Sequence, residues 1–485
     1  GIIHGLYGVS QIFWPGILPL LITPSKEIPY SVFQQINIHS SFQATILITG
    51  LYLLSRPVTL KSSPVLTLIL LSSIFLSCFI VAYSGSRTGL IAAASGVIIL
   101  TLCNWRSFLN RKTLSIAVFI AITAALLLGS DGIHRSSQKL GDLADKNGPG
   151  VVESGSNSRI NIYKISFEVF KLQPISGHGI GSFQKVWHDQ KVDYLKRFPE
   201  ANLPPNRLTH PHNELMFWIV EGGLIAIGGI FISVIAVLYA AFKCGLRRGL
   251  SYSALLIPIG LHTQVEFPFY ISNVPWFLLW LLAYLILRHS RRTRSLEFSR
   301  TNEITIGLFS VTLSLSIILL LLQTIQANHS IVKSIQAKMT EPALLKPALN
   351  NPFFQDTAEY ALYRTMLLRQ LNAQIGEFSP QFINWAEPFI EYTPIPQLYI
   401  DLSRAYLSTD QDIKAVETIQ KGLARYPRID SLIQSEILIK EIIEKNQKTK
   451  AEHNTGNDSG YITDSKTKSL SLEAPPTRQP ETPVR

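Results

Sequence analysis

The chain has 485 residues, 47% of them hydrophobic and only 16% charged, where soluble domains carry about 25% charged residues. The deficit is local: long uncharged runs alternate with polar stretches, which excludes an ordinary soluble globular chain and reads as a membrane protein with soluble appendages. The net charge of +11 does not indicate nucleic acid, because much of the excess sits in short clusters between apolar runs, where topology signals sit.

The chain opens Gly1-Ile2-Ile3 without methionine, and its first apolar run is not a clean signal peptide. The N-terminus therefore reads as truncated, with earlier helices expected before it. Runs long enough to approach the roughly 20 residues a membrane-crossing helix needs fall at residues 5–24, 38–55, 64–83, 88–103, 114–130, 213–242, 250–263, 269–287 and 304–324. The fourth and seventh are short. The sixth is long enough for its first turns to project or tilt. Arg56 and Lys61 follow the second run, Arg106, Arg111 and Lys112 the fourth, Lys243, Arg247 and Arg248 the sixth, and Arg288, Arg291, Arg292, Arg294 and Arg300 the eighth. Every second loop is basic, so the positive-inside rule makes these four cytoplasmic. The intervening loops and the C-terminal part then face outward, to the periplasm of a bacterium. That places Ser84 to Arg87, His210 to Asn213 and His262 to Glu266 on one side. Cys78, Cys103 and Cys244 lie in or beside apolar runs, and no disulfide framework is expected.

The expected organisation is all-α: transmembrane helices over residues 1–130, an outward loop over 131–212, further transmembrane helices over 213–324, a helical domain over 325–450 and a disordered tail over 451–485. Residues 131–158, rich in Gly, Ser, Asp and Asn, read as irregular loop. Beyond them Ile160, Tyr163, Phe167 and Phe170 recur at helical spacing, the pattern of a helix lying on a membrane surface. Gly177, Gly179 and Gly181 follow no strand and read as a tight turn rather than a dinucleotide site. Ala405, Tyr406, Ala415, Leu423 and Pro427 look like one tetratricopeptide-like helix pair, which must pack on neighbours because a single repeat cannot bury its own face. Residues 451–485, rich in Ser, Thr, Pro, Lys and Asn, read as disordered.

Several polar residues stand at the outward ends of these runs. Arg87 is either an interfacial side chain that snorkels or, flanked by Gly85 and Gly89, a planar donor fork for phosphate. Arg159 is either an ordinary solvated arginine or a second phosphate clamp that neutralises charge on a leaving group. His212, followed by Asn213, is either a helix-capping residue or a base for an acceptor hydroxyl. His210 beside it suggests a metal pair completed by His178, His188 or His262, but no standard zinc spacing is present and no metal is expected. Glu221 lies within an apolar run, where a carboxylate has a partner or a catalytic role. His262, Glu266, Tyr270 and Trp276 form either an interfacial aromatic belt or a wall that grips sugar or peptide.

The order of these segments is recognisable. Ser84-Gly85-Ser86-Arg87-Thr88-Gly89, then Arg159 through Pro174-Ile175-Ser176-Gly177-His178-Gly179 to Phe183, then His212-Asn213 followed after nine residues by Gly223, resembles the O-antigen ligase and polymerase domain over about residues 60–240. Ala226 stands where that family more usually has Gly, Thr or Tyr. His262-Thr263-Gln264-Val265-Glu266-Phe267-Pro268-Phe269-Tyr270, with an aromatic span and helical domain after it, resembles the C-terminal region of bacterial protein (pilin) O-oligosaccharyltransferases, as does the short Gly5 to Gln11. The resemblance implies a bacterial inner-membrane glycosyltransferase of the C-type class. It would move a preassembled glycan from undecaprenyl diphosphate to Ser or Thr of a periplasmic or pilin protein, with inversion and without metal or other cofactor. It also implies roles: Arg87 and Arg159 on the diphosphate, His212 with Glu221 catalytic, and His210, Asn213, His262, Glu266 and Tyr270 on the acceptor side. The same core serves a lipopolysaccharide ligase acting on lipid A core and a repeat-unit polymerase. The reading outside enzymes is a lipid-linked sugar transporter or flippase, which should place polar groups near the bilayer midplane.

Overall fold

A computed structural model describes residues 1–15, 28–33, 35–56, 63–144, 155–290, 298–337, 341–373 and 378–455. The chain is all-α, with no strand among the described residues. In chain order, α1 is Ile2–Phe13, α2 Ile36–Leu54, α3 Pro64–Ser84, α4 Arg87–Leu109, α5 Lys112–Leu128, α6 Ser130–Ala144, α7 Gly155–Leu172 and α8 Phe183–Arg197. Then come α9 Glu214–Lys243, α10 Leu246–His262, the single turn α11 Pro268–Ile271, α12 Asn273–Ser290 and α13 Arg300–Gln336. A short 3₁₀ turn Pro342–Leu345 and α14 Lys346–Leu349 lead to α15 Gln355–Ala373, α16 Ser379–Tyr392, α17 Pro396–Leu407, α18 Asp412–Arg425 and α19 Asp430–Thr455. Each of the nine apolar runs holds a helix among the described residues. By length and composition α3, α4, α9 and α13 are fit to cross a membrane, and α5 with the first part of α6, bent by 58° between them, is a fifth candidate. The chain is a polytopic helical membrane protein.

Small residues set the packing of the bundle, as membrane interfaces require. A Cβ at Gly96 of α4 would lie 2.1 Å from Ile48 of α2, and one at Gly50 of α2 would lie 3.0 Å from Ile74 of α3. Ala44, Leu47, Ile48, Ile74, Ala254 and Leu255 form the centre of the core. Two pairs of polar groups bond across it: Ser77 donates to Gln43 at 2.8 Å and Asn104 to Ser251 at 3.0 Å. The turn from α3 to α4 follows directly from sequence. Gly85 takes the left-handed conformation (φ 64°), and the Ser86 hydroxyl caps α4 by accepting from Gly89 N at 3.2 Å.

One expectation for residues 131–172 is corrected. Residues 131–144 are not irregular loop but belong to α6, whose Gly132 lies so close to the end of α3 that a Cβ would meet Ala82 O at 2.2 Å; Arg135 donates to Tyr83 O at 2.7 Å. In α7 the face that packs is Ile162, Ile165 and Val169, buried with Trp187 and Phe217, while Ile160 and Phe167 are exposed. The two exposed side chains are among the four that the sequence pattern would lay on a membrane surface. The expected tail over 451–485 lies outside the described residues from 456 onward.

The helix α9 holds the feature that organises the molecule. It breaks at Gly223, which has φ 58° and ψ −154°. The groups freed there are taken up by the segment before α8. His178 N donates to Val220 O at 3.0 Å and Gly179 N to Glu221 O at 2.9 Å, while Leu224 N donates to Pro174 O at 2.9 Å and Ile225 N to Ile175 O at 3.2 Å. Below the break, Leu224–Lys243 rises about 30 Å at ~1.5 Å per residue, which equals the hydrocarbon thickness of ~30 Å. The segment beyond the break is thus long enough by itself to cross the hydrocarbon.

The C-terminal helices α15 to α19 form their own core around Phe382, Leu398, Tyr399, Ala405, Ala415, Ile419 and Tyr426. The pair α17 and α18 packs between α16 and α19, so neighbours cover the face a lone repeat leaves open. This unit docks on α8. Arg425, itself bonded to the Tyr399 hydroxyl, pairs with Asp189, and Lys185 stands over the Tyr392 ring at 5.1 Å. His188, fully buried, has its ring 5.1 Å from Tyr426, and its Nε2 accepts from Leu208 N at 3.1 Å. Burial, and then the charges of Lys191, Arg425 and Arg207, hold His188 well below the usual imidazole value. An unfolded histidine titrates near ~6.5. Below that pH the unfolded state binds more protons, so stability is full above it and falls on acidification. The unfolding midpoint should drop between about pH 7.5 and about pH 5.5. His188→Gln, which keeps an acceptor for Leu208 and cannot titrate, should flatten that drop in a thermal-melt series; an unchanged slope would refute it.

Candidate functional site

The segment Thr209-His210-Pro211-His212 enters the bundle end just before α9. Asn213 is the N-cap of that helix: its Oδ1 accepts from Met216 N at 2.9 Å and its Nδ2 donates to Gln264 O at 2.9 Å. Glu214 N donates to Thr263 O at 2.8 Å. These bonds fasten the start of α9 to the turn after α10. His212 itself has φ 54°, the left-handed region that a non-glycine residue rarely adopts. Strain of this kind persists where the surroundings over-determine it, and here His212 N donates to His210 Nδ1 at 3.3 Å.

The twisted backbone aims the His212 ring at Glu266, with Nδ1 3.2 Å from Oε2. The other carboxylate oxygen, Oε1, is 3.4 Å from Arg159 Nη2. One carboxylate thus bridges a histidine and an arginine that lie 54 and 107 residues away in sequence. Burial alone would raise Glu266, but the hydrogen bond and charge of His212 and the charge of Arg159 outweigh it and hold the carboxyl below its ordinary value. An ionised Glu266 accepts from Nδ1–H and leaves Nε2 of His212 as the free acceptor. Tyr163, one turn beyond Arg159, lies beside Asn213, and Gln35 lies beside Glu266. Neither was marked in the sequence, where a helical Tyr and a Gln beside an apolar run carry no signal of their own.

The other marked residues are dispersed around this cluster. The His210 ring stacks on Phe267 at 4.6 Å and meets His212 edge-on at 4.5 Å; burial, and then the nearby His212, lower it to about 4, so it is neutral and fit to accept at Nδ1. Tyr270 stacks on the other side of Phe267 at 4.0 Å. Trp276 leaves this wall and stacks on Phe269 at 4.3 Å. His262 is turned inward, 1% exposed, into a small cavity lined by Ile38, Ser41 and Pro268.

Arg87 is exposed at the start of α4 and makes no ion pair with a described residue. It shares the bundle end with the cluster through α2, whose N-cap Gln35 lies beside Glu266 and whose Ser40 accepts from Ser84 at 3.0 Å. The close approaches that Gly85 and Gly89 permit are used by α6 and α2, not left for a ligand. Glu221, expected among the catalytic groups, has a structural partner. It is buried, and its Oε1 accepts from Phe183 N at 3.1 Å at the start of α8, where a carboxylate suits the helix terminus. Among the described residues no group of three His, Cys, Asp or Glu side chains is placed to hold a metal ion.

Two family models match. One described as O-antigen ligase covers residues 72–249, and one described as virulence factor membrane-bound polymerase, C-terminal, covers residues 250–435. No curated protein matches the chain. The first model takes in Arg87, Arg159 and His212, and the second takes in Glu266 and the helical domain. The chain belongs to the O-antigen ligase and polymerase superfamily. Membership gives it a glycosyltransferase-type role in transferring or polymerising lipid-linked glycan.

Proposed function

We propose that the chain transfers a preassembled oligosaccharide from undecaprenyl diphosphate to Ser or Thr of a periplasmic or pilin protein, at the periplasmic face of the bacterial inner membrane. The observation that carries this reading is the Glu266 carboxylate bridging His212 and Arg159. Nε2 of His212 takes the proton from the acceptor hydroxyl as its oxygen attacks the anomeric carbon. The glycosyl–phosphate C–O bond breaks on the opposite face, the configuration inverts, and the diphosphate leaves with the electron pair. Arg159 and Arg87 neutralise that leaving group. Arg159 is partly exposed and held to Glu266 only at 3.4 Å, so it can turn to a diphosphate. Glu266 fixes the His212 tautomer and stabilises the imidazolium that forms.

The protein acceptor rests on the resemblance of residues 262–270 and on the helical domain docked beside α8. The second reading, ligation to lipid A core or repeat-unit polymerisation, is favoured by the descriptions of the matched families. A transporter is disfavoured, because the charged groups of the cluster gather at one end of the bundle rather than along its middle. Co-expression with a pilin and a lipid-linked glycan tests the choice by mass spectrometry. Glycan on Ser or Thr of pilin is expected. Bare pilin with the glycan on lipid A core, or a ladder of polymer lengths, would overturn the protein acceptor.

A further inference from the structure

We propose that the cavity between α8, α9 and α11 is a subsite for one pyranose ring of the donor glycan; the proposal deepens the function proposed above and rests on it. The cavity holds about 240 Å³, below the ~300–1,000 Å³ of sites for drug-sized ligands, which suits a single ring with its hydroxyls. Its walls include the rings of Phe183, Phe217 and Tyr270, and its polar side chains include Gln184, Thr209, His210 and the carboxylate of Glu221. Aromatic faces cover the C–H faces of a sugar, while an amide, a hydroxyl and a carboxylate suit its rim of hydroxyls. A polyprenyl tail would leave Gln184 Oε1, buried and without a hydrogen-bond partner among the described residues, still unpaired, at a cost that buried polar atoms do not bear.

Place in the site selects the donor. The wall built by the His210–Phe267–Tyr270 stack ends at His210, whose ring is 4.5 Å from that of His212. A ring seated in the cavity therefore lies one imidazole away from the base that activates the acceptor, where the sugar next to the diphosphate has to sit. The cavity is also built on fixed parts. Its Glu221 floor bonds the start of α8, and the loop before α8 is bonded to the break in α9.

The test uses the full chain in lipid nanodiscs, with methyl glucopyranoside and methyl N-acetylglucosaminide as probes. Saturation-transfer NMR is expected to show their ring protons in contact with the protein and to lose the signal in Gln184→Trp, which fills the cavity. Persistence of the signal in that variant overturns the proposal. In the second arm, Thr209→Val, which removes only a hydroxyl and carries the test if Gln184→Trp does not fold, should raise KM for the glycan-bearing donor about fivefold and leave KM for a pilin acceptor unchanged. An unchanged donor KM overturns the subsite, and a rise confined to a saccharide acceptor assigns the cavity to the acceptor instead. The NMR arm needs no turnover. A chain without transferase activity that still binds the glycosides in the cavity would sink the proposed function and leave the subsite standing.

Discussion

His212→Ala is expected to abolish glycan transfer, by roughly 10²- to 10⁴-fold as for loss of a general base, while the protein accumulates and elutes as the parent does. The fold does not need the imidazole. The segment is held by the Asn213 cap and by the Leu208 bond to His188, and neither involves the His212 ring. Alanine and histidine are both strained at a φ of 54°, so the backbone cost changes little. Glu266→Gln separates the roles further. An amide can donate to Nδ1, which favours the tautomer with its proton on Nε2 and blocks that nitrogen as a base; for a triad aspartate the corresponding change costs about 10⁴-fold. Glu266→Gln should therefore lower kcat far more than it changes KM for either substrate. Single-turnover transfer from a lipid-linked donor measures both variants. Retention of more than about a tenth of the parent rate in His212→Ala would rule out general-base catalysis by this residue.

The architecture was legible because apolar runs and basic loops are strong, separate signals. All nine runs hold helices among the described residues, and the three segments that the charge pattern places on one side gather at one end of the bundle. The bridge itself was not legible. Sequence showed Arg159, His212 and Glu266 as three isolated polar residues, and nothing in spacing says that a 107-residue separation closes to 3.4 Å. Other features escaped because sequence patterns are degenerate. The helix α7 carries two apolar faces, and periodicity cannot choose between them. Glu221 drew notice because a carboxylate in an apolar run needs a partner or a role, and spacing could not show that one partner is the amide of a helix start about 40 residues earlier in the chain. Arg87 stands at the right end of the bundle, but no ion pair to a described residue orients its guanidinium.

Gly223→Val should destabilise the protein more than any single change in the catalytic cluster. Glycine supplies φ 58° with ψ −154° without penalty, and a side chain there is strained by ~1–3 kcal/mol. Space adds to the cost: a Cβ would lie 2.4 Å from Ile175 O and 2.6 Å from Gly177 N, both backbone atoms that cannot swing aside. The loop must then lift away, exposing the acceptors of Val220 and Glu221 and the donors of Leu224 and Ile225 at the edge of the hydrocarbon. Each unpaired group there costs several kcal/mol. The expected loss is upward of about 3 kcal/mol, seen as a lower melting temperature in detergent and as new proteolytic cleavage within residues 173–182. Gly228→Ala, five residues along the same helix, is the control. A Cβ there meets nothing within 4 Å, and alanine in a helix interior is favoured over glycine by ~0.5–1 kcal/mol, so it should hold or raise the melting temperature. If both variants behaved alike, the break would be an ordinary kink and not the clasp that ties the loop to the membrane helix. If they separate as expected, loss of transfer in Gly223→Val would follow from the same cause, because the clasped loop leads directly into α8 and His212 stands immediately before the cap of α9.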